Sequence, residues 1–576
     1  MSEQMYAEVI AVFPDKVKIS VDNLEDYQRG VENLKIGSYL KIVGNDESIG
    51  IITIIENFII EAVDEDSDNF RKHIIEARPL GVINGNEFVR GGDSIALPPK
   101  GAIPATKEDI NKIYCDSVEE DKRFIFSKLS SNKKIEVPVD GDKFFNKHIA
   151  IVGSTGSGKS HSVASILQKA TTEKNKKYDG INNSHIMIFD IHSEYRTAFP
   201  KANYLDIENL LLPYWLLNSE ELQELFLDTE GNDHRQRSVF KDSVVKNKIY
   251  NADSKKKDKI HFDSVIKFDI NETLQYIKYK NIEKKDKSNN ILWKKEDGDE
   301  FILTDDNINL LFEKGLIPAG TSKSGLNGEL GNFIDRLENK INDKRLDFIF
   351  GEKAKNVGLS DVLEQLLSYG KVKSNVTILD LSGIPFEVLS ITVSLISRLM
   401  FDYGYLYKQL KARDEPDKVV STDTPLLLVY EEAHKYIPRS GLSKYRSSKE
   451  SIERIAKEGR KYGVSLLLAS QRPSEISETI FSQCNNFLAL RLTNPNDQNY
   501  VKRLLPDTLG SLADKMSALR AGEALLAGEA VVMPSIVQID RCSPEPSSTD
   551  INYFELWKQE WKDVNIENIK EIWENK

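Results

Sequence analysis

The chain has 576 residues, 40% hydrophobic and 29% charged, which excludes a disordered polymer and leaves room for several domain-sized cores. A net charge of −12 excludes a surface that coats nucleic acid over its whole area. It does not exclude a local basic channel, because phosphate binding depends on where the lysines and arginines sit. Cys115, Cys484 and Cys542 lie far apart, with neither a disulfide framework nor a zinc spacing. No apolar run approaches the roughly 18 residues of a membrane span, and the N-terminus lacks a signal-peptide pattern. A cytoplasmic protein with no membrane partner is expected.

Residues 1–128 read as a β-barrel. YAEVIAV, KVKIS, SYLKIV, GIITII and FIIEAV are short β-branched runs separated by Asp, Asn, Gly and Pro. The stretch RGGDSIALPPKGAIP, 90–104, reads as a late barrel turn and exit. Over 129–205 the pattern becomes strand, glycine-rich loop, helix, strand: HIAIV (148–152), then KSHSVASILQKA, then HIMIFD (185–190). That is the unit of a parallel sheet. Residues 206–372 read as a charged, mostly helical insertion. It runs from PYWLLNSEELQELFLD through NILWKKEDGDEFILTDDNINLLFEKGL to NFIDRLENKINDKRLDFIF, with solvated lysine-rich pieces at 254–259 and 280–290. The sheet resumes over 373–545 in VTILDLS, PLLLVYEE, GVSLLLASQRP and NNFLALRL, the near-continuous apolar runs of strands covered on both faces. Residues 522–540 read as a hairpin, and 546–576 as a tail with a short helix.

The loop 153-GSTGSGKS-160 matches G-x-x-x-x-G-K-[ST] in full and lies between an apolar strand and an amphipathic helix, the context the motif requires. Its glycines permit backbone angles that other residues resist, so the loop N–H groups can cradle phosphates at a helix N-terminus. The candidate nucleotide-binding residues are Gly153, Thr155, Gly156, Ser157, Gly158, Lys159, Ser160 and His161. Lys159 would reach the β- and γ-phosphates and Ser160 would bind Mg2+, so ATP and Mg2+ are the expected ligands. The strand LLLVYEEAHKY, 426–436, delivers Glu431 and Glu432 side by side. A P-loop nucleotidase needs an acid at a strand end for its magnesium shell, and hydrolysis needs a group to activate water. Glu431 is the metal-side acid in this reading, a Glu where such enzymes usually carry Asp. Glu432 is the base. Gln471, in ASQRP, would sense the γ-phosphate or hold the water. Asp190 lines the site or caps a helix, and His192 and His434 read as structural. A positive charge against the γ-phosphate would come from Arg460 first and Arg454 second, both within the basic stretch 439–461. Acting from a neighbouring subunit, such an arginine would make the enzyme an oligomer.

In this order, GSTGSGKS, FDIHSEY, PYWLLNSEEL, DKRLDFIF, VTILDLSGIPFEVL, LLLVYEEAHKYIP, EGRKYGVSLLLASQRPSEI and LRLTNPND resemble the HerA family of ATPases over nearly the whole chain. The resemblance implies an α/β fold, a RecA-like P-loop core with a helical insertion, preceded by an N-terminal β-barrel. It implies a homo-hexameric ring that moves double-stranded DNA through its pore. It also implies a partner nuclease or an NAD-consuming effector protein, with anti-phage defence as one setting. Carried over by motif, Lys159 and Ser160 bind nucleotide and metal, Glu431 and Glu432 are the paired acids, Gln471 is the sensor and Arg460 the trans-acting finger. A second reading is a regulatory ATPase that assembles and controls an effector, with DNA movement secondary and the barrel as docking platform. A small-molecule kinase needs no water activator such as Glu432. A secretion or conjugation motor is disfavoured by the lack of a membrane segment.

Overall fold

β-Branched residues facing inward at every second position build the first strands. Ala7–Val12, Val17–Val21, Arg71–Asn84, Ile49–Ala62, Tyr39–Val43 and Ala102–Pro104 pair antiparallel in that spatial order, with Glu87–Arg90 added beside Arg71–Asn84. A bridge between Glu8 and Gly101 joins the two ends. The Val9 N–H donates to the Lys100 carbonyl at 2.8 Å across the same seam, so the sheet closes as the expected barrel around Val9, Ile19, Leu40, Ile42, Ile55, Ile75 and Ala77.

The computed structural model describes residues 7–13, 15–21, 34–43, 49–62, 71–85, 87–91, 100–175, 178–227, 234–252, 254–296, 298–323, 326, 328–370, 372–416, 422–439, 446–505, 511–548 and 551–574. Two compact units emerge, 1–182 with 465–548, and 183–464 with 549–576. Part of the 90–104 stretch and of the basic 439–461 stretch lies outside the described residues.

The barrel differs from the sequence reading in one respect. GIITII and FIIEAV form a single strand, Ile49–Ala62, and its partner Arg71–Asn84 was not among the expected runs. Arg71, Lys72, His73, Glu76, Arg78 and Pro79 obscure the apolar alternation there. The strand tolerates Pro79 because it pairs with Thr53 beside a register shift, where bulged geometry accommodates a residue without an N–H.

The first unit also carries the loop-bearing sheet. Val464–Ser470, Ile149–Val152 and Asn486–Ala489 run parallel, with the strand that enters the glycine-rich loop in the middle. Glu523–Gly528 and Ser535–Ile539 form the expected hairpin beside them, and Arg123–Leu129 with Asn132–Asp140 extends the sheet antiparallel.

The second unit holds parallel strands in the order Asn203–Leu205, Val376–Asp380, His185–Asp190 and Leu426–Tyr430. Val376–Asp380 and Leu426–Tyr430 are buried at every residue, as strands covered on both faces are. The insertion is mostly helical, as expected: Ser219–Phe226, His234–Asn251, Ile270–Ile282, Gly331–Ile341 and Leu359–Leu366. The stretch 290–316 departs from that reading. Leu292–Lys295, Glu300–Ile302 and Leu316–Pro318 make a small antiparallel sheet instead. The chain turns at Gly298, whose N–H donates to the Lys295 carbonyl at 3.2 Å. Trp293 points wholly inward against Tyr279, Leu311, Phe312 and Leu316. The tail forms two short helices, Tyr553–Trp557 and Ile566–Glu574. Among the described residues no helix is long and apolar enough to cross a membrane.

Trp293 is the most deeply buried residue of the small sheet. Trp293→Ala is expected to cost about 3–5 kcal/mol locally. Amide exchange should quicken across 276–318 while the helix Lys159–Thr172 keeps its protection.

Candidate functional site

The glycine-rich loop is shaped by close approach. Gly156 and Gly158 have φ of 72° and 92°, in the left-handed region that favours glycine. A Cβ on Gly153 would lie 2.4 Å from Ser157 Oγ and 2.9 Å from Leu490 Cβ. Gly158 opens the helix Lys159–Thr172 and supplies no side-chain cap, so the helix's first N–H groups have no side-chain acceptor from that position. Lys159 is buried at the helix start, Ser160 is half-buried, and Ser157 Oγ is buried without a hydrogen-bond partner. This is a concave set of donors with one buried ammonium, and it fits a polyphosphate carrying a divalent cation.

The loop is held from both neighbouring strands. The Gly153 N–H donates to the Ser470 carbonyl at 3.2 Å and the Ser154 N–H to the Arg491 carbonyl at 2.9 Å. Thr155 Oγ1 donates to Gln471 Oε1 at 2.6 Å, which brings the expected sensor to the loop. His161 faces the other way. Its ring nitrogens lie 3.4 Å from Ser548 Oγ and 3.7 Å from Glu545, on the segment that follows the last hairpin.

In the second unit the strand Leu426–Tyr430 ends in Glu431 and Glu432, 1% and 3% exposed. They are not the solvated pair that adjacent glutamates usually form. Tyr195 Oη donates to Glu431 Oε2 at 2.8 Å. Burial and the Glu431 carboxylate push the Tyr195 hydroxyl well above the usual phenol range, so it stays protonated as a donor. Asp190, at the end of the adjacent strand, accepts the N–H groups of His192, Glu194 and Tyr195 at 3.3, 3.1 and 2.9 Å. It therefore organises the turn that presents Tyr195. Burial raises the Asp190 carboxyl despite those three donors. Glu432 has φ 48° and ψ 49°, a left-handed backbone on a bulky residue, which costs about 1–3 kcal/mol. Its Oε2 lies 3.2 Å from His434 Nδ1. Tyr195 was missed in the sequence. Its place in FDIHSEY, shortly after the strand-end Asp190, was the available signal.

The two candidate arginines differ. The Arg454 guanidinium lies 4.2 Å from the Phe401 ring and 3.7 Å from Asp402, so it is engaged within its own unit. Arg460 is exposed on the turn Gly459–Tyr462, and no hydrogen bond or ion pair occupies it among the described residues. The turn is tight, since a Cβ on Gly459 would lie 2.4 Å from the Val464 carbonyl. The preceding helix Arg446–Glu458 is clasped by the helix Ser219–Phe226. Glu224 accepts from the Ser447 N–H and Oγ at 3.0 and 2.6 Å, and Glu220 shares a hydrogen bond with Glu450. That bond holds the Glu220 carboxyl up to about 7.

The family model for the central domain of the helicase HerA matches residues 125–400. A chain named probable helicase from Methanocaldococcus jannaschii is 25% identical over 555 residues, 93% of this chain and 92% of its own length. The DNA double-strand break repair helicase HerA of Sulfurisphaera tokodaii is 26% identical over 81% of this chain and 79% of its own. The chain is an ATPase whose central part resembles that of HerA. Its nucleotide is ATP, taken with Mg2+. Among solved structures, VirB4 of Thermoanaerobacter pseudethanolicus superposes with a TM-score of 0.46 at 13% identity, over 74% of this chain and 98% of that one.

Two outcomes follow from this geometry. Tyr195→Phe leaves the Glu431 carboxylate buried with one donor fewer, a loss of about 1.5–3 kcal/mol. Turnover of ATP should fall about 10- to 100-fold while nucleotide affinity, read by fluorescence titration, stays near the original. The second concerns pH. Glu220 is held at about 7 against an ordinary 4.5, so its contribution to stability is complete below the ordinary value and is lost as pH rises through 7. Glu220→Gln mimics the protonated form. It should raise the melting temperature at pH 8 and leave it near the original at pH 5.

Proposed function

We propose that this ATPase is a motor that assembles as a hexameric ring, translocates double-stranded DNA and works with a partner nuclease or other effector. The observation that carries the reading is the buried glutamate pair, with Glu432 in a strained left-handed backbone of the kind that gathers at active sites. The relatives named as helicases give the DNA substrate class. Service beside a nuclease or an NAD-consuming effector in anti-phage defence rests on the family resemblance.

Each side chain has a distinct task. The loop N–H groups and Lys159 bind the phosphates and fix the direction of attack. Ser160 and Glu431 would hold Mg2+, which would supply positive charge against the phosphates. Glu432 takes the proton of the attacking water, and His434 fixes the orientation of that carboxylate. Gln471, tied to Thr155, reports whether the γ-phosphate end of the loop is filled. Arg460 is the finger, placed against the γ-phosphate of a neighbouring subunit. Its lack of a hydrogen bond or ion pair among the described residues supports that role over Arg454, and such a charge is worth about 10³–10⁵ in rate.

The test measures ATP hydrolysis with and without double-stranded DNA, using the Arg460→Ala and Lys159→Ala chains separately and mixed. Each variant alone should be inactive. A mixed ring pairs an intact loop with an intact finger at some interfaces, so DNA-stimulated hydrolysis should return. No recovery on mixing would place Arg460 outside the neighbour's site. Hydrolysis that ignores DNA would favour the regulatory ATPase instead.

A further inference from the structure

The strand Asn486–Ala489 lies in register with the phosphate-loop strand, Val152 opposite Ala489. The chain leaves it through Leu490 and Arg491. The Leu490 N–H donates to the Val152 carbonyl at 2.8 Å, and the Arg491 carbonyl accepts from Ser154 at 2.9 Å. One step on, the Thr493 N–H donates to Ser154 Oγ at 3.0 Å. Arg491 is therefore fixed abreast of the loop by backbone pairing on both sides of it.

Its guanidinium leans over the loop. Nη2 lies 3.9 Å from the place a Cβ on Gly156 would take, so the glycine leaves that approach open. The side chain is half-buried, and its Nε is fully buried with no hydrogen-bond partner. Among the described residues no carboxylate neutralises it. A guanidinium withdrawn from water with no counter-ion is costly, and the cost disappears when an anion binds beside it. The planar fork of an arginine suits phosphate oxygens in particular.

We infer that Arg491 is a phosphate ligand in cis: its guanidinium binds the γ-phosphate side of the ATP held by the loop of the same chain. The inference rests on the ATPase assignment and adds a second cation to the site. Arg460 serves a neighbouring subunit, whereas Arg491 acts on its own chain's nucleotide before any neighbour is engaged. An isolated chain should then discriminate ATP from ADP, and part of that preference should vanish with Arg491.

The experiment titrates fluorescently labelled AMP-PNP and labelled ADP, each with Mg2+, into the full chain and into Arg491→Gln and Arg491→Lys. Melting temperatures establish that each variant is folded. For Arg491→Gln the affinity for AMP-PNP should fall about tenfold or more, the loss of a charge-assisted bidentate contact, and that for ADP by less than about threefold, because the γ-phosphate is absent. Arg491→Lys keeps the charge without the fork and should fall between Gln and Arg, which keeps the test open should the Gln variant not fold. Equal losses for both nucleotides would mean that Arg491 only shapes the loop, and unchanged affinities that it touches no phosphate. Either result overturns the inference. Failure of the unsubstituted chain to bind either nucleotide would instead overturn the ATPase assignment itself.

Discussion

A carboxylate buried at the end of an all-apolar strand is the constraint that orders the second unit. Glu431 follows five buried residues and is almost wholly withdrawn from water. An ionised carboxylate in that position is stable only if donors surround it. Tyr195 is one donor, and Tyr195 stands where it does because Asp190 gathers the N–H groups of the turn 191–195. The parallel register of His185–Asp190 beside Leu426–Tyr430 brings the two strand ends level, and the Glu431 N–H donates to the Phe189 carbonyl at 3.2 Å. The carboxylate we propose as the metal-side acid is thus positioned by the Tyr195 hydroxyl and by its own backbone pairing. Glu432 differs: its backbone is left-handed and strained, and we propose that this aims its carboxylate at the attacking water.

The first unit solves the complementary problem of holding donors for an anion without filling the space. Glycines keep the loop concave, and backbone bonds from Ser470 and Arg491 fix its rim from either side. Gln471 and Arg491 leave the two strands that flank the loop strand, so the residues we propose to meet the phosphate are carried by the same backbone that shapes the loop. Parallel strands put all their C-terminal ends on one edge, and this is why such sheets gather polar groups there.

Much of this was legible in the sequence, for a physical reason. Strands buried on both faces are mostly apolar, so Ile149–Val152, Leu426–Tyr430 and Val464–Ser470 stand out, and Gly153, Glu431 and Ser470 mark their ends. The phosphate loop is local, and its glycines are dictated by its own backbone. What stayed hidden depends on distant partners. Arg71–Asn84 is a strand because Ile49–Ala62 pairs along its whole length, not because of its own pattern. The sheet around Trp293 exists because one indole needs a covering wall, and the charged residues between its strands imitate a helix. Tyr195 and Arg491 look ordinary until the fold sets one beside a buried carboxylate and the other beside the phosphate loop.

The measurement that bears most directly on the central claim is single-turnover hydrolysis of bound ATP by Glu432→Gln. If Glu432 activates the water, the variant should bind ATP as tightly as the original while hydrolysis slows at least about 100-fold, the usual span of general-base catalysis. Hydrolysis at the original rate would contradict the account, because the strained, buried Glu432 would then have no part in the chemistry.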